Sequence, residues 1–222
     1  MHDGFDVTSS DSARAPISGR LVNPWLAMGT RPREVVRQML WTDRMGGLAV
    51  LPAVLSGVNM ALSRALVGAV GERLELSALL LLCVVVGGLA GLVGLYAGSA
   101  LVHWTGGRLG GQGTTDEVRN AWGWGNAPHA WGLALYAPAV LLVRRDLFRG
   151  VGRAVAEGGL TGVAVVGIAA AQAVLAVWSF AVFVVALSEA LRLPGWKALA
   201  SLALAWLLVV AAIVPLYGLL VL

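Results

Sequence analysis

The sequence predicts an all-α, polytopic membrane protein of about five transmembrane helices, preceded by an amphipathic helix lying on the membrane surface. Three observations carry that prediction. From Leu76 to Trp104 there is no Asp, Glu, Lys or Arg, and a helix rising ~1.5 Å per residue needs only about 20 apolar residues to cross the hydrocarbon core. Over the whole chain 58% of residues are hydrophobic and 13% charged, with a mean hydropathy of +0.80, so lipid must solvate much of the surface. Apolar segments also recur along the 222 residues with short polar connections, the pattern of one membrane domain rather than two independent units.

Residues 1–22 form a polar tail rich in Ser and Asp. It cannot bury enough apolar surface to offset its ordering entropy, and disorder is expected there. Asp3, Asp6, Asp11, Arg14 and Arg20 leave no room for the apolar core of a cleavable signal peptide, so targeting falls to the first hydrophobic helix. Order is expected to begin at Asn23-Pro24-Trp25. A helix follows over 31–44, with Val35, Val36, Met39 and Leu40 on one face and Arg33, Arg37 and Arg44 on the other. The expected place for this helix is the membrane interface, with Trp25 and Trp41 at headgroup depth and Arg33 and Arg37 toward anionic lipid.

The spans are predicted at about 46–70, 76–104, 128–143, 158–187 and 198–222. The first is interrupted by Asn59, Ser63 and Arg64, the last of which must reach toward the following loop. In the second, Gly87, Gly91, Gly94 and Gly98 recur at spacings of four and three, which places them on one helix face as a close-packing groove. The third is about 24 Å long as a helix, a short span or a re-entrant piece. Pro52, Pro138 and Pro215 fall inside spans, where neighbouring helices accommodate a kink. The loop between the second and third spans contains Thr114 followed three residues later by Glu117. That pair predicts a capping box opening a short helix with Val118, Ala121 and Trp122 on its apolar side, ended by Gly123 and Gly125.

The 16 basic residues, all Arg except Lys197, exceed the 12 acids. In a membrane protein this excess reads as topology and contact with the lipid bilayer, not nucleic-acid binding, since no basic face is interleaved with stacking aromatics. Five spans with the N-terminus inside divide the basic residues ten inside against six outside. A re-entrant third segment makes the division twelve against four, so charge alone leans to four spans. Scarce Lys with abundant Ala, Gly, Val and Leu is the composition of a G+C-rich bacterial coding sequence, and the expected location is the bacterial inner membrane.

No residue set predicts a catalytic, cofactor or metal site. The lone Cys83 excludes an internal disulfide and a cysteine-based metal site. The Gly-rich loop distantly echoes a phosphate-binding loop but lacks the Lys before its Thr, and no strand precedes it. His103 ends the second span, His2 is in the tail and His129 stands alone, none with an acid at ligand spacing. Apart from Arg64, which reaches toward the following loop, the strongly polar residues of the spans and their ends are Asn59, Gln172 and Glu189, too few for a proton relay. Glu189 is expected to pair with Arg192 three residues on.

Asn23-Pro24-Trp25-Leu26, then Arg31-Pro32-Arg33 and Val35-Val36-Arg37 before the first span, resemble the opening of bacterial members of the YIP family, the Ypt-interacting-protein domain. Gly110-Gly111-Gln112-Gly113-Thr114 leading to Pro128 is similar to that family's Gly-Gly-x-Gly-Thr loop. The stretch from Trp178 through Glu189 to Ala198 and Leu199 is similar to its fourth-to-fifth span junction. The resemblance covers residues 23–222 and implies five helices with a cytosolic N-terminus. Eukaryotic members are tied to Rab GTPases, but their Asp-Leu-Tyr-Gly-Pro motif has no counterpart here, so Rab binding is not carried over. The expected function is a non-enzymatic membrane organiser or adaptor, partnered by a second copy or another membrane protein. The alternative is a small-solute transporter.

Overall fold

The computed structural model describes residues 21–43 and 47–221, with side chains to Val214. The expected disorder of the tail over residues 1–20, Arg44, Gly46, any kink at Pro215 and the terminal Leu222 lie outside what is described. Among the described residues every regular element is helical, and four helices are long and apolar enough to cross a membrane: Val50–Val67, Leu76–Arg108, Gly159–Leu191 and Gly195–Val214.

Helix α1 (Pro24–Ala27) starts on Asn23, whose side chain accepts from Trp25 N–H, with Pro24 at the first helical position. α2 (Pro32–Thr42) again begins on a proline, and the Asp43 carboxylate that follows it takes the amides of Gly47 and Leu48. This leads the chain into α3 (Val50–Val67). α4 (Leu76–Val93) passes through one π-helical turn, Gly94–Gly98, into α5 (Ser99–Arg108). The resulting rod of 33 residues is about 50 Å long, well beyond the ~30 Å hydrocarbon core.

The Gly-rich loop then folds back on the end of a later helix, α10 (Gly159–Leu191). Gln112 N–H donates to Leu191 O, while the Arg192 guanidinium donates to Gln112 O. The first satisfies a carbonyl that the end of α10 leaves open. A side chain at Gly113 would collide with the carbonyl of Ala190, so the loop passes there only because position 113 is glycine.

α6 (Thr115–Gly125) opens with a complete capping box: Thr114 Oγ1 accepts from Glu117 N–H and the Glu117 carboxylate accepts from Thr114 N–H. Thr114→Ala should cost about 1 kcal/mol of stability, read as a lower unfolding midpoint in detergent, and Thr114→Ser should keep it.

The third apolar segment is not one helix. It divides into α7 (Ala127–Ala130) and α8 (Leu133–Val143), and eleven residues of α8 give only about 16 Å. The break falls at Trp131 and Gly132, where 3₁₀-type bonds tighten the chain (Trp131 N–H to Pro128 O, Gly132 N–H to His129 O). There the Gly132 carbonyl turns to accept from Gln172 Nε2 at 3.0 Å. The segment nevertheless runs beside the second half of α3, where His129 lies against Asn59 and Tyr136 Oη bonds Ser63 Oγ at 3.0 Å; before it Gly123 of α6 meets Ala49, and after it Phe148 packs on Gly71.

A 3₁₀ turn (Arg144–Phe148) and α9 (Val151–Glu157) lead into α10, and α11 (Gly195–Val221) ends the chain. α11 is pinned to α5 by Thr105 Oγ1, which lies 2.9 Å from the Ser201 carbonyl, and by Ser201 Oγ donating to Val102 O.

Two apolar cores result. One, at the end where α2, α6 and the last turns of α10 meet, contains Val35, Val36, Met39, Val118, Ala121, Trp124, Leu187 and Leu191. The other, at the opposite end, contains Leu62, Leu66, Leu79, Tyr136, Leu147, Phe148 and Val165. We call these the α2 end and the Arg153 end.

Candidate intramembrane polar site and membrane-face platform

Apolar helices carry Asn59 and Gln172 at a cost that lipid cannot offset, because each amide needs partners inside the protein. The fold supplies them to each other. Asn59 Nδ2 donates to Gln172 Oε1 at 3.1 Å, and Gln172 Nε2 donates to Asn59 Oδ1 at 3.2 Å. Because Gln172 Nε2 also donates to the Gly132 carbonyl, its nitrogen must face that oxygen, which fixes the orientation of both amides. Asn59 Nδ2 then faces His129 Nε2 at 3.3 Å, so Nε2 accepts and the neutral ring carries its proton on Nδ1. All three side chains are buried. The sequence reading left His129 isolated; α7 brings it to the pair, and the cluster ties α3, α7 and α10 together between the two cores.

Beside the cluster a cleft of about 570 Å³ opens, bordered by α3, α4 and α10 and lined by Trp122, His129 and Ser179 among others. Ser179 Oγ is buried without a hydrogen-bond partner. The Ser56 backbone faces the His129 ring, and neither Ser179 Oγ nor His129 Nδ1 has accessible surface.

The glycine face of the α4–α5 rod divides between two neighbours. A Cβ at Gly87 would sit 2.8 Å from Val58 Cα, and one at Gly91 3.0 Å from Val54 Cα, so both positions meet the backbone of α3. Gly94 and Gly98 lie under the indole of Trp122, with the Gly98 position 2.6 Å from its ring. The π-turn coincides with this second contact.

At the α2 end, the apolar face of α2 is spent on protein. Val35, Val36 and Met39 are buried in the core with α6 and α10, and Asn120 of α6 donates to the carbonyls of Met39 and Asp43. Trp25 packs edge-on against Trp124 with centroids 5.5 Å apart, while Trp41 and Arg33 remain exposed.

Glu189 does not pair with Arg192 as the spacing predicts. α10 stops at Leu191 and Arg192 takes a left-handed conformation (φ 55°), which swings its side chain off the helix face to Glu117 at 2.8 Å. Glu189 instead meets Arg37 at 2.5 Å, and this hydrogen bond and charge raise the Arg37 pKa further above its ordinary value. Two ion pairs thus lock α2 and α6 onto the end of α10. A groove of about 800 Å³, whose walls include Leu21, Leu26, Arg31, Glu34 and Arg37, runs along this surface.

Arg37→Glu places two carboxylates together and should loosen α2. Thiol labelling of a Val36→Cys probe, buried in the native fold, should rise several-fold. Unchanged labelling would mean that the core contacts alone hold the helix.

At the opposite end Arg153 bridges Glu72 at 3.0 Å and Glu157 at 2.7 Å, holding the Glu157 carboxyl below its ordinary range. Among the described residues no group of three His, Cys, Asp or Glu is arranged to hold a metal. Cys83 is buried in α4.

The polar cluster was legible only as isolated residues. The signal that finds it is the cost of a lone amide in an apolar helix, which requires a second one at matching depth.

A protein-family model described as the Yip1 domain matches residues 25–216. No curated protein and no solved structure matches the chain.

Proposed function

The chain belongs to the Yip1 domain family, and from that premise we propose that it is a non-enzymatic membrane organiser whose α2 end is an adaptor surface for another membrane protein. The observation that carries the reading is the construction of that end. α1, α2 and α6 lie outside the four long apolar helices, yet they are packed into a core and cross-linked by Arg37–Glu189 and Arg192–Glu117. Leu21 and Leu26 stay more than two-thirds exposed beside the groove. A rigid surface bearing apolar residues at one membrane face fits recognition of a partner segment.

We further propose that the segment from Ala127 to Val143 crosses the membrane, giving five spans with the N-terminus cytoplasmic in a bacterial inner membrane. Its packing along α3 at Asn59 and Ser63 supports this, as does the family match. The ten basic residues would then lie on the N-terminal side, as the positive-inside rule prefers.

The test is site-specific photocrosslinking from position 26 in native membranes, with Leu26→Asp as control, alongside solute flux in proteoliposomes. The adaptor reading expects a discrete membrane-protein adduct that Leu26→Asp abolishes, and no flux above empty vesicles. Solute flux that persists in Leu26→Asp and is lost in Gln172→Leu would replace it with a transporter.

A further inference from the structure

We propose that the open flank between α5 and α11 holds the phosphate of one anionic phospholipid between Arg108 and Lys197, with its acyl chains lying along Leu101 and Leu204. This flank shares no residue with the groove beside α2 and does not depend on the adaptor reading.

The placement follows from how the two helices meet. α5 and α11 run antiparallel, fastened where Thr105 Oγ1 and Ser201 Oγ lie 2.9 Å apart and where Lys197 Nζ donates to Leu109 O at 3.2 Å. At ~100° per residue, Arg108 stands about 60° and Trp104 about 100° to one side of Thr105. The same count on α11, which runs the opposite way, turns Lys197 about 40° from Ser201 toward that same side. The end of α10 packs on the other side, where a Cβ at Gly106 would meet Leu191. Both cations therefore stand on one flank, and α10 does not cover it.

The chemistry of the pair selects the ligand. Ion pairs at this end use Arg31, Arg37, Arg119 and Arg192, which leaves Arg108 and Lys197 without a carboxylate among the described residues. The Arg108 guanidinium lies over the Trp104 ring, its carbon 4.6 Å from the centroid, so its face is occupied while its edge of N–H donors stays open. Lys197 Nζ, 5.7 Å from the Trp196 centroid, has given one of its three donors to Leu109. The two indoles are 49% and 69% exposed, and exposed indoles at the ends of membrane-crossing helices settle at headgroup depth. Seven residues further into each helix, about 10 Å deeper, Leu101 and Leu204 stand on the same flank, with Leu204 exposed. What fits is an anion carried on an apolar body: a phosphate at the two cations, hydrocarbon against the leucines. An acidic peptide supplies the charge but not the hydrocarbon.

The experiment is native mass spectrometry of the full chain in neutral detergent, given dioleoyl phosphatidylglycerol and dioleoyl phosphatidylcholine at equal concentration. One phosphatidylglycerol should be retained over phosphatidylcholine by about 25-fold, five-fold for each basic residue at ~1 kcal/mol. Arg108→Gln and Lys197→Gln should each lower that preference about five-fold, with the unfolding midpoint confirming that the variants stay folded. Arg108→Lys and Lys197→Arg should keep most of it, and Arg33→Gln, an exposed arginine of α2 at the same end, should leave it unchanged. An equal loss in Arg33→Gln would mean diffuse attraction to a basic surface and overturn the proposal. Displacement of the lipid by equimolar glycerol phosphate would overturn it in favour of a site for the free headgroup. A chain that shows the preference only after Asp3, Asp6 and Asp11 are changed to Asn would overturn it in favour of its own acidic tail as the occupant.

Discussion

Gly91→Leu should destabilise the protein by about 3 kcal/mol or more, at or beyond the upper end of ordinary overpacking, and lower the unfolding midpoint in detergent by roughly 6–12 °C for a chain of this size. The effect follows from what stands in the way. A Cβ at 91 would meet the Ala53 carbonyl group and Val54 Cα, both backbone of α3, so no side-chain rotation relieves the contact and the two helices must separate. Membrane helices gain nothing from expelling water between them, and close van der Waals approach is the main attraction they have. Gly88→Leu is the control: its Cβ would rest 3.6 Å from Val54 Cγ1, an ordinary contact, and its midpoint should move by a few degrees at most. Equal losses at 88 and 91 would show that the α3–α4 contact is not what the glycines serve.

Asn59→Leu should cost about 1–3 kcal/mol, because it strips Gln172 Oε1 and His129 Nε2 of their partner in a place water does not reach. Gln172→Leu should cost a similar amount, since it also frees the Gly132 carbonyl and Asn59. The double variant should cost less than the sum, and the shortfall, ~0.5–3 kcal/mol for residues in one network, measures the amide pair directly. Strict additivity would mean that each amide is solvated independently, as in a water-filled path, and would weigh against the adaptor reading.

These two sites divide what was legible in the sequence from what was not. The glycine face is a periodic signal, and periodicity survives folding. Gly87 and Gly91 do meet a neighbouring helix, although nothing in the spacing revealed that Gly94 and Gly98 would serve Trp122 instead. The Thr114 and Glu117 cap is equally local and is found where its spacing puts it. The polar cluster joins positions 59, 129 and 172, whose meeting depends on how α3, α7 and α10 align in depth. The third segment reads as one short helix because a single glycine such as Gly132 is tolerated inside an apolar span. The break there leaves the Gly132 carbonyl to Gln172, a partner forty residues away that spacing does not reveal. The Glu189 partner was misassigned for a related reason: helical spacing to Arg192 holds only while the helix continues, and α10 ends one residue before it.

In the proposed topology a five-pass bundle presents its packed α2 end on the N-terminal side of the membrane. Single cysteines at 145 and 197, introduced into a Cys83→Ser background and probed with a membrane-impermeant maleimide in intact cells and inverted vesicles, test it most directly. The account predicts that 145 reacts only in intact cells and 197 only in inverted vesicles. Reaction of 145 only in inverted vesicles and of 197 only in intact cells would make the segment 127–143 re-entrant and contradict the five-pass bundle.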